Sequence, residues 1–150
     1  MLALKKQLYK HCCDYISQGE AEIKKLIAET RQSSANETKS SAGDKYETTR
    51  EVLQQEINLN LSRLNELNNL KTVLESISPT QTGFTISLGS VVYTSNGNFY
   101  IAISAGKINA DGVSFYAISS VSPIASKMLG QKAGYSFDLN NKRFKIMDVI

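Results

Sequence analysis

Tryptophan is absent from this sequence, histidine occurs once and cysteine twice. Each scarcity removes a class of chemistry. The lone His11 has no carboxylate and hydroxyl placed around it for a nucleophilic triad, and it reads as a surface or seam histidine. Cys12 and Cys13 are neighbours in a helical pattern and project about 100° apart, which suits neither a disulfide nor a metal clip. They read as reduced packing thiols. No glycine-rich phosphate loop and no paired Cys/His zinc spacing occurs, so no metal or cofactor of its own is expected and the chain is read as not an enzyme. No run of about 18 apolar residues occurs either. The opening MLALKKQLYKHC carries lysines where an export signal needs an apolar stretch, and a cytoplasmic location is expected.

The chain of 150 residues is 41% hydrophobic and 21% charged, which is ordinary for one globular domain or two small ones. Residues 1–78 carry 11 basic and 11 acidic side chains, whereas residues 79–150 carry 6 and 3. A net excess of +3 is too weak to argue nucleic-acid binding.

Two halves differ in hydrophobic period. Leu4, Leu8, Cys12, Tyr15, Gly19, Ile23 and Leu26 track one helical face. Leu53, Ile57, Asn60, Leu64, Leu67, Leu70 or Lys71, Leu74 and Ile77 track another. An antiparallel register pairs Leu53 with Leu26, Ile57 with Ile23, Asn60 with Gly19, Leu64 with Tyr15 and Leu67 with Cys12, leaving the one polar seam residue opposite the one seam glycine. That register centres the bend at Lys39 and Ser40. The first helix is expected to fade near Ser34 and the second to start near Asp44, giving about 30 residues, or about 45 Å, per helix.

After Pro79 and Gly83 the pattern turns to two-residue alternation, which makes 78–83 a linker. SVVYTSNGNFYIAIS reads as two strands around an Asn96-Gly97 turn, and VSFYAIS, residues 113–119, as a third. Ser122 as cap, Pro123 at the first helical position and Gly130 as stop predict one short helix. Two further strands are expected at about 135–139 and 143–149, joined across NNK. The second half is therefore predicted to be a small antiparallel sheet with one helix, in an α+β chain.

The bend region holds the acids Glu37, Asp44, Glu47 and Glu51. Hard carboxylate oxygens at the end of a hairpin suit completion of a divalent-cation site in another protein. Local capping explains much of this acidity, since the acids suit the positive end of a helix with Asp44 as N-cap and Glu47 three positions on.

The segment ISSVSPIASKMLGQKAG, residues 118–134, resembles a motif of the form I-S-x-x-S-P-I/L-x-x-x-L-x-G-K in the Gre transcript-cleavage factors. Ile118, Ser119, Ser122, Pro123, Ile124, Ala125 and Gly130 fall on it. YETTRE is similar to the opening of that family's second helix, through Tyr46, Arg50 and Glu51. The order of hairpin, linker and sheet resembles the family's plan over nearly the whole chain. The resemblance implies an antiparallel coiled-coil hairpin over 1–77 with its bend at about 35–43, and an FKBP-like α+β domain over 84–150.

It also implies a partner, bacterial RNA polymerase. The C-terminal domain would dock at the secondary channel through Ser122, Pro123, Ile124 and Ala125, with the hairpin inserted toward the active site. Nascent RNA would be met only indirectly, and neither membrane nor small-molecule substrate is implied. In the family, tip acids help hold a second Mg²⁺, so the only cofactor implied is Mg²⁺ shared with the polymerase. Those acids precede the tyrosine by seven, four and one positions, where this chain has Lys39, Ala42 and Lys45. Lysines there add positive charge beside an ion that needs oxygens within about 2.1 Å. The expectation is a channel-occupying regulator without efficient cleavage. The alternatives are a cleavage factor using Asp44 and Glu47 instead, a prolyl isomerase, which the missing Trp disfavours, and a coiled-coil scaffold.

Overall fold

The computed structural model describes residues 2–39 and 43–150, leaving aside the side chains of Ser34 and residues 36–46. Its architecture is α+β. Helices α1 (Leu2–Lys39) and α2 (Gly43–Glu75) are followed by β1 (Val91–Thr94), β2 (Gly97–Ala102), β3 (Gly106–Ala110), β4 (Val113–Ser119), α3 (Pro123–Met128), β5 (Ser136–Leu139) and β6 (Lys142–Val149). Contacts divide the chain into two compact units, residues 1–15 with 71–150, and residues 16–70.

Within residues 16–70 the helices run antiparallel: Gly19 lies against Leu67, while Ile27 and Ala28 share a surface groove with Leu61 and Leu64. The expected register is corrected here. A Cβ on Gly19 would stand 3.1 Å from Leu67 Cδ1, so Gly19 faces Leu67, two helical turns along from the Asn60 expected. Helix α2 presents the seam read from sequence, with Ile57 and Asn60 buried, but α1 buries Ile16 and Ile27 where Tyr15 and Leu26 were expected. Tyr15 and Leu26 are 43% and 45% exposed. Adjacent apolar residues on a helix are alternative seam positions, and periodicity alone chose the wrong member of each pair. Asn60 turns its Oδ1 to Arg63 at 3.3 Å, a partner on its own helix.

Helix α1 also outlasts its expected end near Ser34. Residues 35–39 and 43, placed in the bend by sequence, are helical, and Ser40–Ala42 lie outside the described residues. The Ser-rich tract SSANETKSSA contains neither Pro nor Gly. Serine costs a helix only about half a kcal/mol against alanine, and Ala35, Glu37 and Lys39 are good helix formers.

In the other unit six strands form one sheet in the order β3-β4-β2-β1-β6-β5. The antiparallel sheet expected from sequence is corrected to a mixed one, because β2 and β4 pair in parallel, Phe99 opposite Tyr116 through Ala102 opposite Ser119. The chain leaves β2, makes β3 two strand positions away, and returns as β4 between them. Strand β3 was missed by the sequence reading, although Asp111-Gly112 supplies the two positive φ angles, 52° and 78°, that a tight β3–β4 hairpin needs. The β1–β2 turn lies one residue earlier than expected: Thr94 pairs with Gly97, leaving Ser95 and Asn96 as the loop. Thr94 Oγ1 donates to Gly97 O at 2.6 Å and accepts from Asn96 N–H at 3.1 Å, while Gly97 takes φ 116°.

Central strands β1 and β2 are buried on both faces. One face carries Val92, Phe99, Ile101, Phe144, Ile146 and Val149 and is covered by Met128 and Ile124 of α3. Ile146 and Val149 share that face despite a spacing of three, since the β1–β6 register shifts at Tyr93/Thr94 and Met147, 60% exposed, is the extra residue. The opposite face meets the base of the two long helices. The Cys12 sulfur lies beside the backbone of Ile103, Ile77 Cγ2 sits 3.0 Å from where a Gly89 Cβ would be, and Leu8, Cys12, Leu74 and Tyr100 are all buried. Tyr9 closes this base by donating its hydroxyl to Leu74 O at 3.1 Å.

Candidate partner-binding site

The segment 118–134 is built around Ser122. Its extended backbone (φ −67°, ψ 154°) ends the run from β4, and its Oγ accepts from Ala125 N–H at 3.3 Å while donating to Ser119 O at 2.7 Å. Pro123 at the first helical position loses nothing by lacking an N–H. Ser126 Oγ donates back to Ser122 O at 2.9 Å. At the far end Gly130 takes φ 81° and donates to Ile86 O at 2.9 Å, and Ile86 N–H donates to Gln131 O at 2.9 Å. The short helix is thus pinned at both ends.

Of the four residues expected to dock a partner, Pro123 is exposed, Ser122 and Ile124 are half-buried, and Ala125 is fully buried. Ile124 packs on the sheet core beside Met128. Ser122 and Ala125 shape the surface from beneath, and its exposed part is Pro123 with its neighbour Val121, 84% exposed. Sequence reading passed over Val121, although an apolar residue just before a cap serine is a detectable signal.

Glu47 is exposed on the second turn of α2. The side chains of Asp44, Lys39 and Lys45, and the whole of Ala42, lie outside the described residues. Among the described residues no group of three or more His, Cys, Asp or Glu is placed to hold a metal ion, and no helix is long and apolar enough to cross a membrane.

Two buried polar groups were not anticipated. Lys5 is 3% exposed, and its Nζ donates to Gln81 O at 2.7 Å. The signal is present in the sequence, for Lys5, Leu8 and Cys12 are spaced as one helical stripe, but the apolar Leu4 competes for that turn. Tyr100 has a fully buried hydroxyl with no hydrogen-bond partner among the described residues. Burial pushes its pKa well above the ordinary phenol value, with the neighbouring Cys12, Tyr9 and Cys13 adding to the effect.

No family model matches this chain, and no curated protein matches it.

Proposed function

We propose that this protein is a binding protein of the transcription machinery: a Gre-like regulator of elongation that engages bacterial RNA polymerase through an FKBP-like C-terminal module and offers its helical hairpin to the secondary channel. The observation that carries the proposal is the pairing of two helices of 38 and 33 residues, joined through only three intervening residues, in a chain that continues into a sheet module bearing the capped Ser122–Pro123 segment. Helices of those lengths run to about 57 and about 50 Å at 1.5 Å per residue, a reach that suits a channel. The motif around Ser122 supports docking through the Val121–Pro123 surface, where an exposed apolar pair stands on a rigidly capped turn.

The protein regulates by occupancy in this reading. Lys39, Ala42 and Lys45 stand where the resembled family has acids, so the hairpin end brings no matched carboxylate set to the polymerase Mg²⁺.

Pull-down of purified bacterial RNA polymerase by the full-length chain tests the proposal. Wild-type protein is expected to retain polymerase, Val121→Glu to lose about tenfold in affinity, and removal of residues 35–47 to leave binding intact while abolishing any effect on elongation. Failure of the wild-type chain to retain polymerase would refute the proposal. Transcript cleavage in stalled complexes that rises with the protein and falls with Asp44→Ala plus Glu47→Ala would replace occupancy by a cleavage role.

A further inference from the structure

We propose that the pocket around Lys5 binds a small tetrahedral oxyanion, either inorganic phosphate or the phosphate of a small phosphomonoester. The pocket lies wholly within the unit formed by residues 1–15 and 71–150 and encloses about 160 Å³. A water molecule's share of liquid volume is about 30 Å³, so the space exceeds what one bridging water fills.

Lysine is almost never fully buried unless its charge is matched. Lys5 is 97% removed from solvent, yet among the described residues no carboxylate lies within ion-pair distance of it. An ammonium has three N–H donors, and among the described residues its one protein acceptor is Gln81 O. A buried ammonium without a counter-charge is disfavoured, and burial accordingly pushes the Lys5 pKa down from its ordinary 10.5. An anion in the pocket would remove that cost by giving the remaining donors charged acceptors.

The walls match that ligand. Besides Lys5 they carry the hydroxyl residues Ser76, Ser78, Thr82, Ser87 and Ser90, with no acidic residue among the lining; Ser76 Oγ donates to Val73 O and Ser78 Oγ pairs with Thr80 Oγ1 at 3.1 Å, so Thr82, Ser87 and Ser90 are the hydroxyls open to a ligand. Ser90 Oγ accepts from Ser87 N–H at 3.0 Å, which leaves its own proton available to a ligand. A metal cation or an amine is excluded by the lysine. The donors come from three separate pieces of chain: Lys5 near the start of α1, Thr82 in the segment after α2, and Ser87 and Ser90 in the turn before β1. Donors converging from several sides suit a tetrahedral oxyanion better than a planar carboxylate.

The test uses the full-length chain with inorganic phosphate, glycerol phosphate and acetate at matched ionic strength, followed by calorimetry and phosphorus NMR. Saturable binding of phosphate is expected, weakened about tenfold or more in Lys5→Met, which keeps the apolar stem and removes the charge. In the wild-type chain the Lys5 Cε resonance should titrate at higher pH in phosphate than in chloride, a readout that stands whether or not Lys5→Met folds. Glycerol phosphate binding as well as phosphate would identify the ligand as a phosphomonoester, and phosphate binding alone would identify the free ion. No saturable phosphate binding, equal binding by a folded Lys5→Met, an unmoved Lys5 titration, or acetate binding as tightly as phosphate would each overturn the proposal.

Discussion

Cys12, Lys5 and Tyr100 set the alkaline behaviour of the fold. Burial against the sheet pushes the Cys12 thiol up to about 12 from its ordinary 9.0. Between those values the folded chain keeps a proton that the unfolded chain has lost, so stability falls as pH rises above 9.0, by at most about 1.4 kcal/mol per pH unit. Tyr100 acts with the same sign above 10.0. Lys5 opposes them: its folded pKa is lowered, the unfolded chain holds the extra proton, and its contribution to stability grows as pH approaches 10.5. The Cys12 and Tyr100 shifts are large, and Cys13, Tyr9 and Tyr93 are raised as well, so urea midpoints are expected to fall from about pH 9 to about pH 11, with a shallower fall in Cys12→Ala. A flat wild-type profile would contradict the burial argument. Tyr100 also carries an orphan hydroxyl, and removing an unsatisfied buried polar atom relieves its desolvation cost. Tyr100→Phe should therefore gain about 1 kcal/mol in urea unfolding, whereas a loss of that size would mean that the hydroxyl has a partner in solution.

At the scale of elements, the register of α1 against α2 is the point on which sequence and structure differ most sharply. The period of both helices is legible from leucine and isoleucine spacing: the α2 seam positions Leu53, Ile57, Asn60, Leu64, Leu67, Leu70 and Leu74 are buried or half-buried, with Leu70 rather than the exposed Lys71 in the seam. The register is not legible, because a heptad shift pairs apolar with apolar almost equally well. What breaks the degeneracy is the cover of the Gly19 backbone by the Leu67 side chain. Oxidation of a Gly19→Cys, Leu67→Cys chain in which Cys12 and Cys13 are replaced by Ala is expected to form the intramolecular disulfide, while Gly19→Cys with Asn60→Cys on the same background should not. The reverse result would restore the register expected from sequence. Strands tell a similar story. Two-residue alternation exposes β1, β2, β4 and β6, but β3 is a five-residue strand whose two buried side chains, Ile108 and Ala110, give a weak signal. The parallel pairing of β2 with β4 leaves no local trace, since it joins residues separated by the whole β3 excursion.

For the whole molecule, contacts gather residues 1–15 with 71–150. Leu8, Cys12, Leu74 and Ile77 are buried there with the sheet face that holds Tyr100. A fragment of residues 84–150 keeps α3 over one face and leaves the other bare, although its sequence looks self-sufficient. It is expected to unfold without cooperativity and to bind a hydrophobic dye, in contrast to the full chain. A sharp thermal transition in that fragment, without dye binding, would show that the helical base is dispensable. The same packing explains why the Lys5 pocket escaped sequence reading: its walls come from the two ends of the hairpin and the turn before β1, which are distant in sequence.

The sequence by itself determined the helical and strand periods, the capped turn at Ser122–Pro123, the stop at Gly130 and the α+β class. These follow from side-chain spacing and from the backbone preferences of single residues, and both are local. Only the tertiary structure decided the heptad register, the exposure of Tyr15 and Leu26, the insertion of β4 between β2 and β3, and the burial of Lys5 without a carboxylate partner. Each of those depends on which distant surfaces share a core, a choice among nearly equal local patterns that packing resolves.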